Sequence, residues 1–146
     1  MEHTGSSAIA DAIIGLSTLT RTLFAQVAER HSLTPAQARL LCTLAGGPRG
    51  MTELAGLLGV EKAALTGLAD RAEQRGLLLR VRVPGDRRAI SVALTAGGLD
   101  AARAFHRELC AELTSLTSVL PPADRERFCR SIALITARPP VDAATP

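Results

Sequence analysis

A mainly α-helical domain carrying one small β-hairpin (α+β) is what this sequence predicts, on three observations. Two short β-type runs, Leu78 to Val83 and Ile90 to Leu94, flank a polar tip, Pro84-Gly85-Asp86-Arg87-Arg88; Pro and Gly make that tip a turn. Just upstream lie two short helical segments joined at Gly59. Apolar residues recur at spacings of three and four at both ends of the chain, the mark of long amphipathic helices. Helix-turn-helix followed by a basic hairpin is the arrangement of a winged helix, framed in this chain by long terminal helices.

The elements follow in order. Ala8, Ile9, Ala12, Ile13, Leu16, Leu19, Leu23, Phe24 and Val27 form the stripe of a first helix that stops near His31. From Ile9 to Glu29 it would span roughly 31 Å at 1.5 Å per residue. That is long for a small domain, and much of the stripe is expected to meet a second chain. Thr34-Pro35-Ala36-Gln37 signals the next helix: Thr as N-cap, Pro at the first helical position, Gln closing a capping box. Its core face is either Ala38, Leu41 and Ala45 or the adjacent Leu40 and Leu44, and Gly46-Gly47-Pro48 ends it. Thr52 is expected to cap a short helix, Glu53 to Leu58, with Glu53 at the positive end of its dipole. After Gly59 a helix runs from about Glu61 to Gln74, with Leu65, Leu68, Ala69 and Ala72 inward and Lys62, Ala63, Thr66, Gly67, Asp70 and Arg71 on or near the outer face. Beyond the hairpin, Thr95 caps a long helix through Leu99, Ala102, Phe105, Leu109, Leu113 and Leu116. Pro121-Pro122 breaks the chain before a last helix with Phe128, Ile132 and Ile135. Residues 1–7 and the Pro- and Ala-rich tail, 138–146, are expected to be flexible.

Composition bounds the function. At 146 residues and 47% hydrophobic, the chain is one domain, 8–137, with enough apolar material for a core. Formal charge is +3 and the pI about 9.2. Residues 61–90 hold seven basic side chains against four acidic, and the remainder holds ten of each, so the whole excess sits in that window. A localised basic patch is the footprint of a nucleic-acid face. No run approaches the roughly 18 uninterrupted apolar residues of a membrane span, and the N-terminus lacks the pattern of a secretory signal. Cys42, Cys110 and Cys129 are odd in number and far apart, which fits a reducing cytoplasm. A cytoplasmic protein with no membrane partner is the expectation. His3, His31 and His106 are scattered, and neither a Gly-rich phosphate loop nor an HExxH pattern occurs, so neither catalysis nor a cofactor is expected.

With this order of elements the chain resembles the MarR family of bacterial transcriptional regulators. The family's wing pattern, Asp-x-Arg, five residues, then Leu-Thr-x-x-Gly, is met by Asp86, Arg88, Leu94, Thr95 and Gly98. Upstream, Leu54-Ala55, Leu58-Gly59-Val60 and Asp70-Arg71 through Arg75-Gly76-Leu77 match as well, and the likeness covers roughly residues 8 to 137. The resemblance implies a homodimer whose terminal helices, 8–31 and 99–137, interlock through residues such as Ile9, Ile13, Leu16, Leu113, Leu116, Phe128 and Ile132. It also implies a DNA-binding lobe, 34–98, that places recognition helices in successive major grooves of double-stranded DNA, with half-site centres about 10 bp apart. Arg88 would enter the minor groove, Asp86 would orient its guanidinium, and Arg87 would meet phosphate. Lys62, Thr66 and Arg71 are base-or-phosphate candidates, while Gln37 and Thr52 would donate to the DNA backbone from helix N-termini. Arg75 is either a DNA contact or a complement to the helix dipole. Where the family commonly carries a small polar residue and then a cation, this chain has Glu61 and Gly67. Glu61 repels phosphate, and Gly67 weakens the helix by about 1 kcal/mol relative to Ala. Other readings stand beside these. Asp86 and Arg88 pair only with each other, Arg80 and Arg82 are merely solvated, or the whole is a winged-helix protein-interaction module with weak or lost DNA binding.

Repression with release by an effector is the commoner family mode. A small molecule is expected ahead of thiol oxidation or zinc, although no Trp or Tyr and three Phe supply an aromatic pocket poorly. Peroxide-sensing members carry a reactive Cys near the start of the first helix, and none precedes Cys42. In Leu40-Leu41-Cys42 a buried, inert thiol is the default. His106 and Cys110, four apart on one helix, are weak metal candidates that would need His31, Glu29 or Cys42 brought near; no resident metal is expected.

Overall fold

A computed structural model describes the backbone of residues 3–137 and, from residue 7 on, their side chains. The chain divides into two compact units, Met1–Glu112 and Leu113–Pro146. The first contains helices α1 (His3–Arg30), α2 (Pro35–Leu44), α3 (Met51–Leu58) and α4 (Lys62–Gln74), strands β1 (Arg49–Gly50), β2 (Leu78–Val83) and β3 (Asp86–Leu94), and most of α5 (Ala96–Leu116). The strands form an antiparallel sheet in the order β1-β3-β2.

Helix α1 opens at His3, inside the stretch 1–7 expected to be flexible. Only its C-terminal end joins the core, through Val27 and Ala28; Ile9 and Ile13 are 65% and 55% exposed. Interrupted in its central part only by Asp11 and Arg21, Ser7–Arg30 is long and apolar enough to cross a membrane by length and composition. The helix ends in a Schellman arrangement: Leu33 N–H donates to Ala28 C=O and Ser32 N–H to Glu29 C=O, both at 2.9 Å. That geometry needs a left-handed residue, and Ser32 supplies it at φ 55. Ser32→Gly is therefore expected to raise stability by up to about 1 kcal/mol, read as a higher melting temperature.

At the same corner Arg30 and His31 grip α5. Arg30 Nε lies 2.6 Å from Glu108 Oε1 and its Nη2 2.8 Å from Glu112 Oε1; His31 Nε2 is 2.6 Å from Glu108 Oε2. The hydrogen bond from His31, then those and the charge of Arg30, hold the Glu108 carboxyl below its ordinary 4.5. A carboxylate depressed in the folded state stabilises the fold above its unfolded pKa and loses that contribution as pH falls through the folded value. Melting temperature should fall on acidification below 4.5, and fall less in Glu108→Gln. Phe105 packs edge-on against Phe24 with ring centres 4.9 Å apart, closing the core beneath this corner.

Helix α2 carries the expected capping box: Gln37 N–H donates to Thr34 Oγ1 and Thr34 N–H to Gln37 Oε1, each at 3.1 Å. Both anticipated core faces are buried, Ala38 and Leu41 together with Leu40 and Leu44, because α2 meets α1, α3, α4 and β3. Ala45 is the exception, an exposed C-cap. Helix α3 starts one residue before Thr52. Its N-cap is Gly50, whose extended backbone pairs with Ser91 in the sheet, so Thr52 sits inside the first turn and caps nothing.

Helix α5 begins under tight constraint. Thr95 Oγ1 accepts from Gly98 N–H at 3.0 Å and donates to Gly76 C=O at 2.6 Å, while Thr95 N–H reaches Leu77 C=O at 3.1 Å. Gly98 presses against that same carbonyl; a Cβ on it would lie 2.9 Å from the Leu77 carbonyl carbon and closer still to its oxygen.

The second unit contains the last turn of α5, a 3-10 turn (Thr117–Val119) and α6 (Pro122–Thr136), started by Pro122 in the first turn. Leu113, Leu116 and Phe128 are half-buried and Ile132 is exposed; Leu134 and Ile135 are 75% and 57% exposed. The expected tail, 138–146, lies outside the described residues.

Candidate nucleic-acid interface

Helix α3 and helix α4 make the helix-turn-helix. Gly59 N–H reaches Gly56 C=O at 3.2 Å and Val60 N–H reaches Ala55 C=O at 3.1 Å, which turns the chain sharply into α4. Leu54 and Leu58 of α3 and Leu65, Leu68, Ala69 and Ala72 of α4 face the core. Burial of that stripe leaves Lys62, Ala63, Thr66 and Arg71 exposed along the other side of α4. Thr66 Oγ1 donates back to Lys62 C=O at 3.0 Å, so it offers an acceptor and a methyl outward. Glu61 is the N-cap and makes no side-chain cap bond. Residues 61–64 at the N-terminus of α4 are all exposed.

The hairpin departs from expectation in its tip. Strand β3 begins at Asp86, not Ile90, and the turn is the pair Pro84-Gly85. Gly85 has φ +88, the positive value that the second central position of a type II turn requires. Between the pairs Arg82↔Ile90 and Val83↔Asp86 the register shifts, so residues 87–89 stand on β3 with none opposite on β2. This bulge pushes Arg87 and Arg88 out as exposed side chains. Asp86 Oδ1 accepts from the backbone N–H of Arg88 at 2.9 Å. The carboxylate thus fixes the backbone of the bulge, and among the described ion pairs it makes none with the Arg88 guanidinium.

Arg80 is more than a solvated cation. Its guanidinium bridges Asp70 and Glu73 of α4, and the hydrogen bond to Asp70 is the main cause that pushes its pKa further up. This clamp ties β2 to α4 and offsets half of the negative charge of the two carboxylates, which would otherwise repel phosphate from that helix more strongly. No sequence signal singled it out, since Arg80 and Arg82 alternate identically along β2. Gln37 also carries a structural duty. It is 6% exposed, and its Oε1 accepts from Thr34 N–H and from Arg75 Nη1 at 3.0 Å. Burial and these bonds make Gln37 a strut between α2 and the end of α4, and they account for one face of Arg75. Thr52 remains exposed in the first turn of α3. Arg39, not anticipated, donates to Leu58 C=O at 3.0 Å and so closes the end of α3.

The electrostatic result is simple. Among the described residues no ion pair engages Lys62, Arg71, Arg82, Arg87 or Arg88. Five uncompensated cations on one helix and one hairpin of a winged helix suit an anionic duplex. His106 and Cys110 do face each other, Sγ to Nε2 at 3.4 Å, yet no group of three or more metal-ligating side chains occurs among the described residues.

Comparison with known proteins agrees with this geometry. Residues 31–89 match the model of the MarR family. The HTH-type transcriptional repressor MdtR of Bacillus subtilis is 38% identical over 71 residues, 48% of this chain and 46% of MdtR. The chain spans about half the length of the curated relatives it matches. The crystal structure of RV1404 from Mycobacterium tuberculosis is 30% identical, with a TM-score of 0.78 over 90% of this chain and 91% of that one. The transcriptional repressor CouR, bound to a 23-mer DNA duplex, is 29% identical, with a TM-score of 0.72 over 90% and 94%.

Proposed function

We propose, since this chain belongs to the MarR family of transcriptional regulators, that it works as a homodimeric repressor in the cytoplasm, holding a pseudo-palindromic operator until an effector releases it. The observation that carries this reading is the set of free cations, Lys62 and Arg71 on α4 and Arg82, Arg87 and Arg88 on the hairpin, beside the Asp70 and Glu73 carboxylates that Arg80 already pairs. Helix α4 supplies major-groove contacts and Arg88 the minor-groove contact. MdtR is named a repressor, and CouR is a repressor seen on duplex DNA, which supports the sign of the regulation.

Dimerisation accounts for the bare apolar faces. Ile9 and Ile13 on α1, flanked by half-buried Leu16, and separately Ile132 in the second unit, flanked by half-buried Leu113, Leu116 and Phe128, are apolar side chains left to water that a second copy would cover. In α1 the charges Asp11 and Arg21 and the run of Ser and Thr from Ser17 to Thr22 suit a protein partner better than lipid. An effector, a small organic molecule, would act by preferring one spacing of the two recognition helices. No step in this scheme is catalytic.

Selection of bound sequences from random duplex DNA, at near-physiological salt, tests the proposal. An inverted repeat with half-sites about one helical turn apart is the expected result. Binding without a motif that mild salt removes would replace it with the protein-interaction reading.

A further inference from the structure

Gly67 lies in the middle of α4, and its backbone is ordinary right-handed helix; the positive φ values belong to Gly47, Gly59, Gly76 and Gly85. A glycine there weakens the helix without any conformational need, so what it contributes is the room left by the missing side chain. That room is taken. A Cβ on Gly67 would lie 3.4 Å from Nη1 of Arg71. Helical side chains lean toward the N-terminus, over the turn before their own Cα, and Arg71 does so across one turn, about 5.4 Å. Its guanidinium therefore rests where a side chain of residue 67 would begin.

The surroundings leave that guanidinium free. The residues three and four positions from Arg71 are Gly67, Leu68, Gln74 and Arg75, none of them acidic. The nearby acids in sequence, Asp70 and Glu73, are both paired with Arg80, and among the described residues no ion pair engages Arg71. Elsewhere on this face Ala63 has no polar side-chain atom, and Thr66 has its hydroxyl proton bonded to Lys62 C=O. Lys62 is a donor, but it stands in the first turn and carries a point charge without a planar fork. We propose that Arg71, laid in the notch at Gly67, is the base-reading residue of α4 and selects a guanine in each half-site. The inference rests on the operator-binding reading and deepens it. A guanidinium offers donors only, in a fixed fork. In the major groove guanine presents two adjacent acceptors, N7 and O6, whereas adenine sets a donor, N6–H₂, beside its N7 and would meet the fork donor against donor. Ala63 and Gly67, four apart in one row with Arg71, keep the helix surface low enough for a base edge to reach the guanidinium.

Selection of bound sequences from random duplex DNA, run in parallel on the full chain and on variants at these two positions, tests this. The parent is expected to recover an inverted repeat with guanine fixed at one position of each half-site, preferred over the other bases by roughly 5- to 150-fold. Arg71→Ala and Arg71→Lys should recover the same repeat with that position relaxed, the lysine because it keeps the charge and loses the fork. Gly67→Leu fills the notch with a side chain that has no donor, and should relax the same position although Arg71 is intact. Gly67→Ala, whose methyl only touches the guanidinium, should keep the guanine. If Arg71→Ala weakens all duplexes alike while Arg71→Lys selects as the parent does, Arg71 is a phosphate contact and the proposal is overturned. A Gly67→Leu motif identical to that of the parent overturns it as well. Failure of the parent to select any motif is a different result, since it removes the operator-binding reading and this inference together.

Discussion

Gly98→Ala is expected to destabilise the protein by about 3 kcal/mol, the largest loss from any single added methyl. The new Cβ would sit 2.9 Å from the carbonyl carbon of Leu77 and nearer to its oxygen. The obstacle is backbone, and that backbone cannot yield cheaply. Leu77 C=O accepts from Thr95 N–H at 3.1 Å, and Leu77 N–H is itself bonded to Ala72 C=O at 3.0 Å. Moving α5 instead would pull Gly98 N–H from Thr95 Oγ1 and Thr95 Oγ1 from Gly76 C=O. Loss of such a cap alone costs about 1 kcal/mol. For a chain of this size the combined penalty corresponds to a drop of roughly 10 °C in melting temperature. Gly97→Ala is the control. A Cβ there meets nothing nearer than Thr95 Oγ1 at 3.8 Å, and relief of the glycine backbone should leave stability equal or slightly higher. If both variants melt alike, the packing of α5 on the Leu77 carbonyl is not what fixes the base of the hairpin.

That contact also shows where sequence reasoning succeeds and where it stops. Thr95 and Gly98 stand out in the sequence as parts of one motif, and the structure supplies the reason: the first caps α5 and the second admits the carbonyl. Local rules served equally well for the capping box of Thr34 and Gln37 and for the inward set Leu65, Leu68, Ala69 and Ala72. They fail where a distant partner decides. Strand β1 is two residues long and exists only because Arg49 and Gly50 pair with Val92 and Ser91, and the same pairing moves the N-cap of α3 from Thr52 to Gly50. Gln37 has the composition of an exposed donor, yet Arg75, 38 positions away, takes its oxygen. Arg80 and Arg82 are indistinguishable along β2 until α4 brings Asp70 and Glu73 to one of them. The basic window was legible as charge; which of its cations stay free was not, because that depends on ion pairs between elements.

Arg88→Ala should remove about 1–3 kcal/mol of specific operator affinity while leaving the melting temperature within a degree or so of the parent. The two halves of that expectation rest on different atoms. The backbone N–H of Arg88 carries the structural duty, donating to Asp86 Oδ1 at 2.9 Å, and alanine keeps it. The guanidinium has no ion pair among the described residues and stands on the three-residue bulge, so its removal takes nothing from the fold. Asp86 reverses the pattern. Asp86→Asn preserves an acceptor oxygen and should bind nearly as the parent does, whereas Asp86→Ala releases the bulge and should weaken binding although it deletes no DNA contact. Arg87→Ala, losing a phosphate contact, should weaken all duplexes alike and reduce the salt slope of log affinity by about 0.9, while Arg88→Ala should cost most on A·T-rich sites. A fall in melting temperature for Arg88→Ala as steep as that for Asp86→Ala would make the arginine a strut of the hairpin, and the minor-groove role would pass to Arg87.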